Sequence, residues 1–376
     1  MVAARRPESP VYCVRPHVME RAARLFIEAF PGDSLYAVKC NPSAHVLEAL
    51  SGAGIRHFDT ASLPEIERVM ERVPGATCYF MHPVKARSAI REAYSRHGVR
   101  FFALDHRSEL DKIGEELPAT REVVLVVRLE VRHSSVVYDL SGKFGASPEA
   151  ARELLEEAYS RGFSVGLCFH VGSQCTDPAA YASGIERVSS ALADSEIPLA
   201  CLDVGGGFPG TYLDAPVEEL SRYIAAIIQQ VKGLNLARDC RLFCEPGRGL
   251  CEGGESVVVQ VQLRRDRSVY LNDGIYGSMT EEGTGLRHRH RMLATRAFAS
   301  TQSPFTAYGP TCDAIDVLPH PLELPDDIRE GDWIEFGNMG AYGVACSTAF
   351  NGFSPEAFVV VENEFVAAGP TLTRDD

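Results

Sequence analysis

Two hydrophobic periods alternate along the first 250 residues of the chain. Short apolar runs bounded by turn residues read as buried strands. They fall at Leu35–Val38, Ile55–Phe58, Thr77–Met81, Arg100–Leu104, Val123–Leu129, Ser164–Phe169, Leu199–Val204 and Arg241–Cys244. Between them run amphipathic stretches with helical spacing, such as Val18–Phe30 (stopped by Pro31-Gly32), Pro64–Val73, Pro148–Arg161, Tyr181–Leu192 and Val217–Val231. Eight strand-then-helix units over little more than 200 residues predict an α/β fold, a (β/α)8 TIM-type barrel. A doubly wound open sheet is the alternative, but it usually has fewer strands and an early glycine-rich turn. Beyond Gly253 the pattern turns β-rich: Val257–Leu263, Ser268–Leu271, Thr306–Tyr308, Trp333–Phe336 and Phe358–Glu362 read as strands joined by Gly/Pro turns. The expected division is a barrel over 16–253 and an all-β, sandwich- or barrel-like domain made of 1–15 and 254–376. An opening strand around Val11–Val14 joins the latter.

Composition narrows the function classes. At 376 residues the chain exceeds what one core usually supports. A net charge of −14 excludes a nucleic-acid partner, since no basic patch releases counterions, and it weakly steers cationic small molecules inward. No apolar run approaches the roughly 20 residues of a membrane helix, and Met1–Val14 lacks a signal-peptide core. The 11 cysteines are scattered without a CxxC pair, which argues for no metal site, no disulfide framework and a reducing cytoplasm.

The strand ends carry the chemistry. Successive apolar runs finish at Lys39, Asp59, His82, Asp105, Arg128, His170, Gly205-Gly206-Gly207 and Glu245, and in a barrel those ends converge on the face where active sites are built. Lys39 reads as the last residue of a buried strand, so it must be neutralised, paired or chemically used. A desolvated lysine of lowered pKa captures carbonyls and holds pyridoxal phosphate as a Schiff base; a strand-end lysine reaching solvent is the bland reading. The triple glycine lets backbone N–H groups approach an anion, with Arg248 as a second contact, unless it is simply an irregular turn. Glu245 is suited to keep a pyridine nitrogen protonated. His170 is either a packed core histidine or a flat stacking partner. Cys312 lies in a turn of the β domain, where only its surroundings make it a proton donor.

Taken together, the motifs YAVKCN at 36–41, HVGSQ at 170–174, DVGGGFPG at 203–210, CEPGRG at 244–249, YLNDGIYGS at 270–278, GPTCDAID at 309–316, GNMGAYG at 337–343 and FNGF at 350–353 resemble the fold-type III pyridoxal-phosphate decarboxylases, the ornithine/lysine decarboxylase family. The resemblance implies pyridoxal 5'-phosphate on Lys39, with Asp59 and Glu65 nearby, Arg128 near the cofactor and His170 stacked on its ring. It implies phosphate ligands at Ser173, Gly207, Gly247, Arg248 and Tyr342, and Glu245 on the ring nitrogen. It further implies a head-to-tail homodimer with sites at the subunit interface. Cys312 and Asp313 then arrive from the other subunit, to protonate the carbanion and to bind the substrate's distal amine. Phe350 shapes the pocket, and a lysine like Lys143 pairs with an acid like Asp316 across the interface.

One departure stands out. Many relatives carry a Tyr-Asp pair shortly after the YGS segment, but here Met279-Thr280-Glu281-Glu282-Gly283-Thr284-Gly285-Leu286 follows Ser278. Glu281 or Glu282 is the expected replacement. The implied function is decarboxylation of a basic amino acid, L-ornithine to putrescine first and L-lysine to cadaverine second. The alternatives are a decarboxylase of diaminopimelate or another amino acid, a racemase (which is expected to carry an arginine in place of Glu245), and a non-catalytic regulatory homologue.

Overall fold

The computed structural model describes residues 5–131, 136–138, 142–193, 195–213, 215–355 and 357–366; the ends of the expected β domain, 1–4 and 367–376, lie outside them. Two compact units emerge. The described residues of one fall within Met1–Met19, Gly210–Pro216 and Cys251–Asp376, and those of the other within Glu20–Pro209 and Val217–Leu250.

The second unit is a closed barrel of eight parallel strands. In chain order these are β2 (Asp33–Ala37), β3 (His57–Thr60), β4 (Thr77–Phe80), β5 (Phe101–Leu104), β6 (Val124–Leu129), β8 (Ser164–Phe169), β10 (Leu199–Asp203) and β11 (Arg241–Cys244), while β7 (Val136–Tyr138) and β9 (Ser173–Cys175) pair with each other in a separate two-stranded sheet. The barrel closes where β11 pairs with β2. The helices that return the chain are capped by local chemistry. Ser147 accepts from the Ala150 N–H at 3.2 Å ahead of Pro148, and Ser62 accepts from the Glu65 N–H at 3.4 Å. Leu35, Tyr79, Ala103, Val124, Val126, Cys168, Cys201 and Phe243, drawn from seven of the strands, pack into one cluster and so define the inward face.

Because side chains alternate along a strand, stepping two residues onward from this layer keeps the inward direction. The step leads from Ala103 to Asp105, Val126 to Arg128, Cys168 to His170, Cys201 to Asp203, and Phe243 to Glu245. In β3 the register pairs Leu35 with His57 and Ala37 with Asp59, so Asp59 shares that face. Two expected boundaries shift here. The strand expected at Ile55–Phe58 forms at His57–Thr60 and contains Asp59. The strand expected to reach Val38 stops at Ala37, and Val38–Cys40 form one turn of 3₁₀ helix. Proximity to Pro42 explains this: the chain must leave the sheet before a residue that cannot continue the ladder.

The other unit is an eight-stranded sheet. Its central strand β12 (Glu255–Arg265) pairs antiparallel with β13 (Ser268–Leu271), β17 (Trp333–Phe336) and the opening strand β1 (Val11–Val14), which also pairs with β18 (Ala357–Val360). β15 (Gln302–Tyr308) pairs with β13 and carries the sheet on to β16 (Leu322–Pro325), while β14 (His290–Met292) pairs with β17; β14 and β16, three and four residues long, are too short to stand out in the sequence. The opening strand is pinned by charge as well as by its ladder. Arg15, 1% exposed, donates to Glu335 at 2.9 Å and Ser256 at 2.8 Å, while Arg291 reaches the same carboxylate at 2.6 Å. Removing one partner of such a buried pair costs about 3–5 kcal/mol.

Candidate functional site

At the barrel mouth, Lys39 Nζ donates to Asp59 Oδ2 at 2.8 Å. The Asp59 carboxylate is buried, but the Lys39 side chain is 42% exposed. The expectation of a buried, desolvated lysine is therefore corrected: the turn after β2 lifts Lys39 off the strand, and its opposite charge is what acts on it. Glu65 sits in the same field, its carboxyl pushed up by burial and by the Asp59 charge against a hydrogen bond from the Ala61 N–H at 2.7 Å.

Across the mouth, His170 Nδ1 accepts from the Gly172 N–H at 3.0 Å, which places the ring's single proton on Nε2. Burial, then the Arg128 and Lys39 charges, hold the imidazolium well below its ordinary range, so the ring is neutral. Glu245 and Asp203 lie on neighbouring strand ends, and burial drives both carboxyls up from their usual range. Arg128 stands over the Phe144 ring at 5.5 Å, with Lys143 over the same ring at 5.1 Å and His82 edge-on at 5.2 Å.

One side of the mouth is built from tightly packed glycines. Gly205 and Gly207 have φ of +71° and +105°, and a Cβ on Gly207 would lie 2.6 Å from the Gly172 carbonyl. A Cβ on Gly206 would meet His170 Nε2 at 2.9 Å, and one on Gly247 would meet Cys40 Cβ at 3.0 Å. Arg248 donates to Ser173 Oγ at 3.3 Å. Glycine amides, the Ser173 hydroxyl and the Arg248 guanidinium are the kinds of donor a phosphate requires. With an amine after β2, a flat neutral ring at the end of β8 and an acid at the end of β11, these residues fit pyridoxal phosphate.

In the sheet unit a second cluster forms on one exposed turn. Tyr276 O–H donates to Asp313 Oδ2 at 2.6 Å, and its ring packs against Phe350 with centroids 4.9 Å apart. That hydrogen bond, the largest influence, holds the Asp313 carboxyl below the usual range. The adjacent Cys312 is exposed, its N–H donating to Asn351 Oδ1 at 3.1 Å. Two buried aspartates build the turn. Asp273 accepts from the Gly274 and Ser278 amides and the Ser278 hydroxyl. Asp316 accepts from the Ile275 and Thr311 amides and the Thr311 hydroxyl. Tyr342, also in this unit, is held at φ +58°, an uncommon conformation that costs about 1–3 kcal/mol and concentrates at functional sites.

Three expectations are revised. Glu281 is buried and accepts from Tyr212 O–H at 3.4 Å; Glu282 is buried and takes both the His288 N–H (2.6 Å) and Nδ1 (3.1 Å). Neither is presented on the Asp313 turn, because each is already used inside the sheet unit. Asp316, expected to face Lys143 of another copy, is 2% exposed and holds its own loop instead. Two residues were missed. Asp203 carries a legible signal, since it shares the parity of the inward positions. Tyr276 carries none, because only the folded turn brings it to Asp313.

No helix among the described residues is long and apolar enough to cross a membrane, and no group of three or more His, Cys, Asp and Glu among them is arranged to hold a metal.

Comparison with known proteins gives a consistent picture. Residues 17–252 match the pyridoxal binding domain of pyridoxal-dependent decarboxylases, and residues 252–340 match the C-terminal sheet domain of the same group. The lysine/ornithine decarboxylase of Selenomonas ruminantium is 34% identical over 351 residues, covering 91% of this chain and 86% of that protein. Antizyme inhibitor 2 of Xenopus laevis is 34% identical over 357 residues, covering 87% and 75%. The arginine decarboxylase of Paramecium bursaria Chlorella virus, solved with agmatine, superposes with a TM-score of 0.84 at 29% identity, covering 96% of this chain and 97% of that one.

Proposed function

The chain belongs to the pyridoxal-dependent decarboxylases, and we propose from that premise that it converts L-ornithine to putrescine and CO2, with L-lysine to cadaverine second. It is a pyridoxal-phosphate-dependent amino-acid decarboxylase of the group acting on basic amino acids. The observation that carries the finer reading is Asp313, ionised and aimed by Tyr276 beside the exposed Cys312. A lone oriented carboxylate favours a substrate whose far end is cationic, by a charge-assisted bond worth about 1.5–3 kcal/mol.

When bound, the cofactor supplies the electron sink for the pair left by the departing carboxylate. Lys39 provides the amine that holds the cofactor, with Asp59 keeping that amine in place. His170 offers its neutral face, Ser173, Gly207, Gly247 and Arg248 hold the phosphate, Arg128 lies near the cofactor, and Glu245 faces the ring nitrogen. Tyr342 enters as a phosphate ligand on motif resemblance alone. So do a homodimer and the delivery of Cys312, Asp313 and Phe350 to a second subunit's site, Cys312 returning a proton to the α-carbon. A cytoplasmic location is consistent with 11 free cysteines.

CO2 release from purified protein and pyridoxal phosphate, against ornithine, lysine, arginine and diaminopimelate, tests this reading; arginine or diaminopimelate preferred over ornithine and lysine rejects it. The likeness to antizyme inhibitor 2 keeps a regulatory role in view, and no release from any amino acid favours that role.

A further inference from the structure

The first unused group of the mouth is Asp203. Its carboxyl is 0% exposed. Oδ1 accepts from the Gly205 N–H at 2.8 Å, while Oδ2 is buried with no donor from the described residues. Strand geometry sets what lies beside it. Asp203 is in register with Phe243 on the adjacent parallel strand, and Glu245 follows Phe243 by two residues on the same face. The Glu245 N–H donates to the Gly205 carbonyl at 2.9 Å, fixing the two ends together. Strand register and shared parity thus turn the Asp203 and Glu245 carboxyls toward the same buried region, where burial and then the Asp203 charge push the Glu245 carboxyl up. Two ionised carboxylates cannot satisfy one another; one proton between them allows a strong O–H···O⁻ bond and fills the Oδ2 vacancy in donors.

We propose that Asp203 and Glu245 hold one proton between them, and that Asp203 is thereby the positioning residue that sets how Glu245 meets the cofactor's ring nitrogen. The second half rests on the assignment of Glu245 to that nitrogen. With the nitrogen protonated, the shared proton stays on Asp203, which donates to Glu245 and leaves it ionised toward the ring. Asp59, Lys39, Arg128 and the thiols of Cys168, Cys201 and Cys244 also face the pair. Burial raises both carboxyls, the direction a shared proton requires.

The test uses the full chain with and without pyridoxal phosphate. Without it, wild type, Asp203→Asn and Glu245→Gln are unfolded by urea from about pH 5 to about pH 8. A carboxyl that keeps its proton to higher pH when folded contributes stability at low pH that is lost as pH rises through its folded pKa. The wild-type midpoint therefore loses ground across this range relative to each amide variant, which keeps a hydrogen bond without titrating, while groups common to all three, such as the low-held His170, cancel in the comparison. A fall undiminished in both variants overturns the shared proton; Glu245→Gln carries the test if Asp203→Asn fails to fold. With pyridoxal phosphate, the absorbance of the lysine-bound cofactor is titrated over the same range. Displaced curves for Asp203→Asn support the link to the ring, and superimposed curves overturn it. A chain that binds no pyridoxal phosphate overturns the Glu245 assignment and leaves the urea result standing.

Discussion

The barrel mouth and the Cys312–Asp313 turn both carry ionisable groups, yet they are built on opposite physical terms. At the mouth, Asp59, Asp203 and Glu245 are buried on strands of one side of the barrel, Asp203 and Glu245 on neighbours, where low dielectric couples the charges. On the turn, Cys312 is exposed, and Asp313 is steered by one phenol rather than by burial. A region of the first kind tunes chemistry through its field. One of the second kind recognises a charge through direction, and solvent screens what it does at a distance.

Substitutions sharpen that contrast. The largest effect is expected for Lys39→Ala. CO2 release should drop by about 10³-fold or more, and the absorbance of lysine-bound cofactor should vanish with it. A variant retaining both removes the mouth from the chemistry. Next is Cys312→Ala, expected to lower kcat by about 10²-fold while leaving cofactor absorbance and the urea midpoint unchanged, since an exposed side chain contributes little to stability. If cofactor absorbance changed instead, the two regions would not be separable in role. Asp313→Asn should raise KM for a diamino acid by about tenfold with a smaller change in kcat; an effect confined to kcat would break the assignment of recognition to the turn.

The smallest effect concerns a second buried charge in the barrel unit. Lys85 Nζ is sealed against Glu109 at 3.1 Å and the carbonyls of His82, Pro83 and Ala103, and burial brings its ammonium down to about 8. A lysine lowered in the fold binds its proton more weakly than in the unfolded chain, so stability rises with pH above that value. Wild type should gain about 1 kcal/mol between pH 8 and pH 9 relative to Lys85→Met, read by urea unfolding at both pH values. Glu109 is also held by Lys112, at 2.5 Å, so the carboxylate has a second partner, and any constant cost of losing Lys85 cancels when the two pH values are compared. A flat difference would mean that the barrel interior does not couple charge as strongly as its burial implies.

What could be read from the chain follows from what is local. Apolar runs such as Ser164–Phe169 and Arg241–Cys244 fixed strands to the residue, because both hydrophobic length and turn boundaries are written in neighbouring positions. The same periodicity, carried two residues past Cys168 and Phe243, brings His170 and Glu245 to one end of a parallel barrel. The three- and four-residue strands His290–Met292 and Leu322–Pro325 escaped notice because they are too short to show a period, and only pairing with distant strands makes them strands.

Residue types, their spacing and the strand period thus determined the barrel, the β-rich remainder and the roster of chemical groups at the strand ends. Only the tertiary structure decided their state. It lifted Lys39 out of its strand onto Asp59, closed Glu281 and Glu282 against Tyr212 and His288, used Asp316 to hold its own loop, and set Asp203 against Glu245. Burial and partnership depend on which distant residues arrive at a given point, and pairwise charge energies depend on the dielectric found there. Neither quantity exists along an isolated chain.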